Sequence, residues 1–322
     1  MRQRTLPRTT SHAARRASLR LITTVAGLVL LAGCALSDPK IDLLTGEPSP
    51  TQQVEQKAAE ERVLAWQNPP DRWTEPTTGL TFVKAPAGCF TMGYDLGEPN
   101  NERPAHEVCL DPFWVATLEV SNAQFRLWRP EHDSGSAKGF SLDRDQHPAV
   151  MLSWLDAVNY AKWLNTLHPG RFDLPTEAQW EYAARAGGKS VRHWGETKEL
   201  MCRYANISDP PAPTALKRGP GADYACNDGY LVSAPTGRFT PNDWGLYDTL
   251  GNVWEWTRDR FAPHYYLYSP RDNPVGPQSS PSRVVRGGSW RSKALDARAS
   301  KRNDWSPKHR LDDVGFRLVW TP

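Results

Sequence analysis

The sequence predicts an α+β domain that is rich in loops and contains few helices. Its 322 residues include 14 Trp, 23 Gly and 28 Pro. This composition favours a core built from aromatic rings, with irregular segments between short regular elements. Helical periodicity occurs in short segments before residue 186, and strand-like stretches lie on both sides of them.

The domain begins and ends with predicted strands. Leu80–Gly93 alternates weakly and is interrupted by Pro and Gly, which predicts a strand followed by a turn. Glu107–Ala116 predicts a second strand. Val284–Trp290 and Val314–Trp320 predict the closing strands.

The predicted helices each have Ser or Thr at the N-cap, a residue type whose side chain accepts a hydrogen bond from a free backbone N–H. Ser121 caps a helix within Glu119–Trp128, Ser153 caps the next, and Thr176 caps Glu177–Arg185. The second and third helices are expected to turn apolar side chains toward the core. These positions are Leu155, Val158, Ala161 and Leu164 in the second helix, and Trp180, Ala183 and Ala184 in the third.

The first 33 residues have the organisation of an export signal. They carry six Arg and no acidic residue, and Leu21–Gly33 is an apolar run too short to span a bilayer as a stable helix. The run ends in Leu31-Ala32-Gly33-Cys34, which resembles a bacterial lipobox and implies cleavage before Cys34 with lipid on its thiol. The alternative is an ordinary secretory signal with a chance Cys. An Asp directly after the lipidated cysteine would act as an inner-membrane retention signal, but Ala35 follows Cys34. The expected location is therefore the outer membrane, facing the periplasm or the cell surface.

The charge balance argues against a nucleic-acid partner. The chain has 39 basic and 36 acidic residues, and six of the basic ones precede Cys34. The chain after the signal therefore has 33 basic and 36 acidic residues, a net charge of −3, and no basic stripe. The membrane, reached through the lipid on Cys34, is the first expected partner.

A polar tether is expected between the lipid anchor and the folded domain. Residues 34–78 are rich in Pro, Gln, Glu and Ser, a composition typical of flexible linkers. A short helix over Gln52–Trp66 is compatible with the pattern. The folded domain is expected over residues 79–322.

The cysteines predict disulfides. Four remain after Cys34, an even number in an exported chain. Of the three connectivities, the sequential one, Cys89–Cys109 with Cys202–Cys226, is favoured because it closes short loops, each contributing on the order of 3 kcal/mol. A cluster of four thiolates on a metal is the alternative, but the sequence lacks CxxC spacing.

One stretch combines core-forming and acidic residues at unusual density. Gly245–Asp259 reads GLYDTLGNVWEWTRD. Asp248, Asn252 and Glu255 lie among residues that can fill a core, and buried carboxylates need partners. Oxygen ligands at this spacing suit a hard cation such as Ca²⁺, and a tight turn whose polar groups cap backbone amides is the alternative.

Several motifs in order resemble the formylglycine-generating enzyme family, the sulfatase-modifying-factor domain. They are FVKAPAGCFTMG (Phe82–Gly93), LPTEAQWEYAAR (Leu174–Arg185), GLYDTLGNVWEW (Gly245–Trp256), RVVRGGSW (Arg283–Trp290) and GFRL (Gly315–Leu318). The resemblance runs from about Leu80 to the C-terminus. It implies an irregular variant of the C-type lectin fold.

The resemblance also implies two calcium sites. The first would consist of Asn206 and Asp228 side-chain oxygens with the Ile207 and Tyr230 carbonyls. The second would consist of Asp248 and Glu255 carboxylates with the Gly251 and Val253 carbonyls. All these residues are of the required type.

The same resemblance implies that the family's oxidase chemistry is absent. Family enzymes convert a substrate cysteine to formylglycine with Cu(I) held by two active-site cysteines, five residues apart and shortly after the Gly-Gly-Ser motif. Counted from Gly287-Gly288-Ser289, those positions hold Ser292 and Ala297, and no Cys follows Cys226. Because Cu(I) selects soft thiolate ligands, no copper cofactor is expected.

The segment Arg291–Arg310, which replaces the copper loop, is strongly charged. A solvated loop is one interpretation. The other is a rebuilt pocket for an anionic or peptide ligand, because Arg forks suit carboxylates. The proposed ligand-binding residues are Trp290, Arg291, Arg298 and Arg302.

Two functions remain open on sequence grounds. One is an envelope lipoprotein that binds a ligand or partner, or acts as a scaffold, without oxidase activity. The other is a periplasmic enzyme with altered chemistry, like the cysteine-lacking relatives needed for pyoverdine maturation. A GxSxG elbow and HExxH spacing are both missing from the sequence, so neither motif supports another hydrolase chemistry. Fold analogy cannot choose between the two.

Overall fold

The computed structural model describes residues 53–54, 57, 71–97, 100–137, 139–197, 200–208 and 226–322. The predicted signal peptide, Cys34 and most of the predicted tether lie outside these residues. Positions 53, 54 and 57 are helical, within the range predicted for a helix in the tether. In the described ranges, no helix is both long enough and apolar enough to cross a membrane.

The elements of the folded domain all lie in the second of two compact units, residues 55–322. The described strands are β1 (Arg72–Thr74), β2 (Thr81–Ala85), β3 (Gly88–Met92), β4 (His106–Leu110), β5 (Phe113–Ala116), β6 (Ser136–Ala137), β7 (Phe140–Ser141), β8 (Arg171–Asp173), β9 (Trp254–Arg260), β10 (Arg283–Arg286), β11 (Arg302–Trp305), β12 (Val314–Gly315) and β13 (Val319–Thr321). The described α-helices are α1 (Asn122–Arg126), α2 (Trp154–Leu167), α3 (Glu177–Arg185) and α4 (Met201–Tyr204). Short 3-10 helices lie at Asn100–Glu102 and Tyr265–Leu267.

Two sheets organise the domain. The larger has the order β1-β2-β5-β13-β8, and all neighbouring strands in it are antiparallel. The last described strand, β13, therefore lies between β5 and β8 in the same sheet as the first described strand, β1. The smaller has the order β11-β10-β9-β12, in which β12 is parallel to β9. Two-stranded pairs β3-β4 and β6-β7 complete the described strands. This mixture of short helices, sheets and loops confirms the predicted α+β class.

The folded domain begins before residue 79, where the sequence placed its boundary. Strand β1 lies within the predicted tether, yet Trp73 pairs with Phe82 across the β1–β2 ladder. The two rings stack at 5.1 Å between centroids, and the Trp320 ring lies 4.9 Å from that of Trp73. The sequence pattern did not predict β1, because three residues are too few to show alternation. The strand is stabilised instead by the contacts of Trp73 with the rings of Phe82 and Trp320.

The helices and their caps agree closely with the prediction. Ser121, Ser153 and Thr176 each accept from the backbone N–H three residues later and complete a capping box. Helix α3 has the predicted bounds, and its inward residues are buried. The predicted inward face of α2 is wrong at Leu155, which is 49% exposed, whereas Tyr160 is buried and stacks on Phe125.

Both predicted disulfides are present. Cys89 and Cys109 lie opposite each other in the β3–β4 pair, with Cα atoms 4.0 Å apart. Cys202, in α4, joins Cys226 with Cα atoms 6.0 Å apart. The second disulfide packs against a small apolar cluster that includes Ala205, Ile207 and Ala297. It therefore joins α4 to the chain that follows residue 225, and it packs close to Ala297 in the segment that replaces the copper loop.

Candidate functional site

The loop before β9 brings the two predicted calcium sets together. Asp248, Gly251 and Asn252 all adopt left-handed backbone conformations, with φ of 53°, 85° and 57°. Gly251 lies so close to Asn206 that an added Cβ would be 2.4 Å from the Asn206 carbonyl oxygen. A side chain at position 251 would therefore force the two segments apart, and the glycine is required both by φ and by contact.

The residues predicted for the first calcium site converge. Asp228 accepts from the backbone N–H of Ile207 at 2.9 Å through one oxygen and from that of Tyr230 at 2.8 Å through the other. Asn206 is fully buried, and its Nδ2 donates to the Val232 carbonyl at 2.9 Å. Its Oδ1 is buried and has no hydrogen-bond partner among the described residues. An unpartnered buried amide oxygen beside a carboxylate fits the donor set of a hard cation.

The residues predicted for the second calcium site have unequal surroundings. Asp248 is buried, with Oδ2 accepting from Gly237 N–H at 2.6 Å and Oδ1 without a partner among the described residues. Glu255 is already engaged, because Arg317 donates to both its oxygens at 2.6 and 2.7 Å and Trp180 Nε1 donates at 2.7 Å. Asp248 therefore fits a cation ligand well, whereas Glu255 already accepts three hydrogen bonds, two of them from a guanidinium.

A third buried carboxylate, Glu119, lies in this region and was not predicted from the sequence pattern. Glu119 accepts from Asn252 Nδ2 at 2.7 Å and from Val253 N–H at 3.3 Å, and it is fully buried. Burial, and then the charges of Asp248 and Glu255, raise its pKa well above the usual range. Burial also raises the pKa of Asp248 to about 6. The one available signal was an acidic residue just before the Ser121 cap, in the motif EVSN.

Among the described residues, the negative charge of these carboxylates, when ionised, exceeds the positive charge of Arg317, the guanidinium that faces them. A bound cation would balance the excess. Among described residues no three His, Cys, Asp or Glu side chains are placed to hold a metal by themselves. A cation here would therefore depend on amide and backbone carbonyl oxygens together with the carboxylates, as Ca²⁺ commonly does.

The two positions that hold the copper-binding cysteines in family enzymes are occupied here by Ser292 and Ala297, and both have structural contacts. Ser292 is buried, and its Oγ accepts from Ser289 N–H at 2.9 Å. Ala297 is fully buried against Ile207 and the Cys202–Cys226 disulfide. One position offers a hydroxyl already used in a turn and the other a methyl group in a small core, so neither can supply a soft ligand.

The predicted ligand pocket around the 291–310 segment is not formed by the residues proposed for it. Trp290 is 2% exposed and belongs to a buried cluster with Val150, Val232 and Val253. Arg291 covers that ring at 4.5 Å and pairs with Asp312.

Arg298 and Arg302 are buried and form ion pairs with carboxylates of the same chain. Their prediction as ligand-binding residues is therefore wrong. Arg298 donates to Glu102 at 2.5 Å, and Arg302 forms a two-pronged contact with Glu177 at 2.6 and 2.9 Å. Their side chains are 8% and 0% exposed. The segment is charged because it carries these internal partners, and it is neither a solvated loop at these two positions nor open to a ligand there.

A wider network surrounds Arg302. Arg286 lies fully buried and pairs with Glu181, which also accepts from Arg185 at 2.7 and 2.9 Å. Arg286 Nη1 donates to the Ser300 and Lys301 carbonyls at 2.7 and 2.5 Å. Burial opposes ionisation of Glu181, but Arg185 and Arg286 outweigh it and lower its pKa. These contacts fix the 298–302 segment against α3 and β10.

The fold and the site together define an irregular C-type-lectin-like domain of the formylglycine-generating-enzyme type. The model of the family described as "Sulfatase-modifying factor enzyme 1-like domain" matches residues 70–322, and the chain belongs to this family. The match begins just before β1, in agreement with the earlier start of the folded domain.

Relatives in the family include both active and inactive members by description. A formylglycine-generating enzyme from Streptomyces coelicolor is 32% identical over 290 residues, covering 74% of this chain and 88% of the relative. An "Inactive C-alpha-formylglycine-generating enzyme 2" from Bos taurus is 30% identical, covering 77% of this chain and 91% of the relative.

Solved structures support the same fold. PvdO from Pseudomonas aeruginosa superposes with a TM-score of 0.66 at 26% identity, covering 78% of this chain and 98% of that one. Treponema denticola variable protein 1 has a TM-score of 0.64 at 22% identity, covering 79% of this chain and all of the other, and shows likeness of fold alone.

Proposed function

We propose that this chain is an outer-membrane lipoprotein, anchored through Cys34, whose domain does not make formylglycine and instead binds a partner or ligand in the envelope. The observation that carries the proposal is the chemistry of positions 292 and 297. The hydroxyl of Ser292 is a hard oxygen held by Ser289 N–H, and Ala297 has no donor atom. Cu(I) chemistry at this site needs two thiolates.

The remaining cysteines do not replace the missing pair. Cys89, Cys109, Cys202 and Cys226 are tied in two disulfides. Cys202–Cys226 lies close to Ala297, but a disulfide sulfur is a much weaker ligand than a thiolate. The similarity to a relative described as inactive is consistent with a domain that has the family fold but no oxidase activity.

A second candidate function is an envelope enzyme with altered chemistry. The observation in its favour is the match to PvdO over 98% of that chain. Comparing periplasmic small molecules with and without the gene by mass spectrometry separates the two functions. A precursor that accumulates in the deletion strain indicates an enzyme, whereas recovery of an envelope protein by in-cell crosslinking, with no change in small molecules, indicates a binding protein.

The test of the missing oxidase uses the purified mature chain, Cu(I), oxygen and a sulfatase-type cysteine peptide. We expect no thiol-to-aldehyde change in peptide mass and no tight Cu(I) binding. The paired variant Ser292→Cys with Ala297→Cys supplies two thiols and is expected to gain Cu(I) binding, which shows that the ligands rather than the frame are missing. Conversion of the peptide by the unaltered chain would contradict the proposal.

The lipid anchor is tested separately. Membrane-extracted protein is expected to begin at Cys34 and to carry added lipid mass, and Cys34→Ala is expected to leave the membrane fraction. A secreted species that begins at another residue would overturn the anchor and leave the oxidase question untouched.

We further propose that calcium stabilises this domain. Support comes from the side-chain oxygens of Asn206 and Asp248 that are buried and have no hydrogen-bond partner among the described residues. A cation held at 100 times its Kd stabilises the native state by about 2.7 kcal/mol, so chelation should lower the Tm by several degrees.

The matched variants for the calcium test lie side by side. Asp228→Asn is expected to shrink the response to chelator, whereas Asn227→Ala, an exposed neighbour, should keep it. Elemental analysis gives the calcium content directly. An unchanged melting curve in chelator, with no calcium bound, would exclude the sites.

A further inference from the structure

A concave surface lined by arginines lies away from the calcium and copper positions. It is a cavity of about 320 Å³ bounded by four guanidiniums and a short apolar wall. The arginines are Arg171 on β8, Arg258 and Arg260 on β9, and Arg283 on β10, and the wall is formed by Val275 and Pro277. Its volume is at the lower end of that of small-molecule sites.

Positive charge exceeds negative charge in this cavity. Asp173 pairs with Arg171 at 2.7 Å and with Arg258 at 3.5 Å. In the part of the chain that the structure describes, Arg260 and Arg283 form no salt bridge to a carboxylate; each donates to a backbone carbonyl, of Ser280 and of Arg258 respectively, at 2.6 Å. Asp173 thus pairs with two of the four guanidiniums, and the buried carboxyl of Asp259 acts electrostatically on Arg283 without a salt bridge to it.

Two of these arginines lie opposite each other across the β9–β10 ladder. Arg283 pairs in register with Arg260, and like charges in directly opposed positions destabilise a sheet. Burial, and then the charge of Arg260, lower the pKa of Arg283. The fold therefore keeps an unfavourable juxtaposition that a bound anion would relieve.

Contacts with the rest of the domain position one of these arginines, Arg283, and the apolar wall. The Arg283 guanidinium lies 3.8 Å from the centroid of the Trp154 ring, and Trp154 Nε1 donates to the Thr257 carbonyl at 2.8 Å. Gly276, at φ 78°, brings the wall loop so near β9 that an added Cβ would be 2.8 Å from Asp259 Cβ. Fixed donors lose little freedom on binding, which favours affinity.

We propose that this cavity binds a phosphate group, carried on a small solute whose apolar part lies on Val275 and Pro277. Several guanidiniums around one oxyanion provide the paired N–H donors that such groups accept. A single carboxylate ligand would neutralise only part of the excess, so an oxyanion with two charges fits the cavity better. The site is independent of the formylglycine question and of the proposed calcium sites.

The test is isothermal titration of the mature chain with inorganic phosphate and with phenyl phosphate at constant ionic strength, against sodium chloride. Arg260→Gln and Arg171→Gln are expected to weaken phosphate binding about tenfold or more, the loss typical of a hydrogen bond to a charged group. Arg271→Gln removes an exposed arginine that pairs with Glu107 elsewhere and should bind as the unaltered chain does. Circular dichroism checks that each variant is folded.

The outcomes separate the sources of the anion. Tighter binding of phenyl phosphate than of inorganic phosphate supports a phosphate ester whose apolar part lies on the wall, and equal binding would overturn the contact with Val275 and Pro277 while keeping the phosphate site. Binding no stronger than in the chloride control, or equal affinity in all three arginine variants, would overturn the proposal.

Discussion

Two regions of this domain are rich in arginine, and they differ in their supply of carboxylates. Inside the fold, Arg286 and Arg302 lie against Glu177 and Glu181, and each guanidinium has a carboxylate partner. At the surface cavity, Asp173 pairs with two of the four arginines, Arg171 and Arg258, and among the described residues the other two form no salt bridge. The first set has its carboxylate partners within the chain, whereas the second contains two arginines, Arg260 and Arg283, that donate only to backbone carbonyls among the described residues.

The difference teaches that the number of arginines says little about ligand binding until their partners are known. A buried guanidinium with a matched carboxylate is part of the frame, and its removal leaves an uncompensated charge. A partly exposed guanidinium that has no carboxylate partner is available to a ligand. Three changes probe this contrast, from the largest expected effect to the smallest.

Replacing Arg302 by Met is expected to destabilise the domain by about 3–5 kcal/mol, because the buried carboxylate of Glu177 would lose both hydrogen bonds from Arg302 and keep, among its guanidinium contacts, only the longer one with Arg286 at 3.6 Å. Urea unfolding of the mature chain measures the change. Arg271→Met, at an exposed salt bridge, is the control and should cost less than about 1 kcal/mol. A loss below 1 kcal/mol for Arg302→Met would show that the buried network is not structural.

Asp259 lies between the two regions and is expected to make stability fall as pH rises. Burial, and then the charge of Glu177, raise its pKa to about 7 in the folded state, compared with about 3.9 in an unfolded chain. Below pH 4 both states are protonated. Between about pH 4 and 7 the unfolded state releases its proton first, so the free energy of unfolding decreases, by roughly 4 kcal/mol at most.

Asp259→Asn should remove that pH dependence while keeping an acceptor for Glu177 N–H, which now donates to the carboxyl at 3.0 Å. Unfolding free energies at pH 4.5 and 7.5 compare the two chains. The same slope in both would show that another group is responsible.

Arg260→Gln is expected to change the free energy of unfolding least, by about 0.5 kcal/mol or less, with a gain as the favoured sign. The variant removes one of two opposed like charges and only one hydrogen bond to a carbonyl. The same variant should lose phosphate binding. A stability loss above about 2 kcal/mol would place Arg260 with the structural arginines instead.

Local chemistry accounts for much of what was predictable. The Thr176 capping box and the bounds of α3 follow from residues within one helical turn. The disulfide pairing followed from short loops, and Cys89–Cys109 also lies in a hairpin-like register. Residue type alone excluded soft copper ligands at positions 292 and 297.

Partners far apart in the chain decided the rest. Arg298 meets Glu102 across 196 residues and Arg302 meets Glu177 across 125, so a charge run that suggested a ligand loop became internal ion pairs. Glu119 joins the calcium region through Asn252, 133 residues away. The arginine cavity needs β8, β9 and β10 side by side. Helix caps and ligand types are properties of neighbouring residues, whereas the pairing of charges depends on which strands and loops meet, and only the tertiary structure determines that.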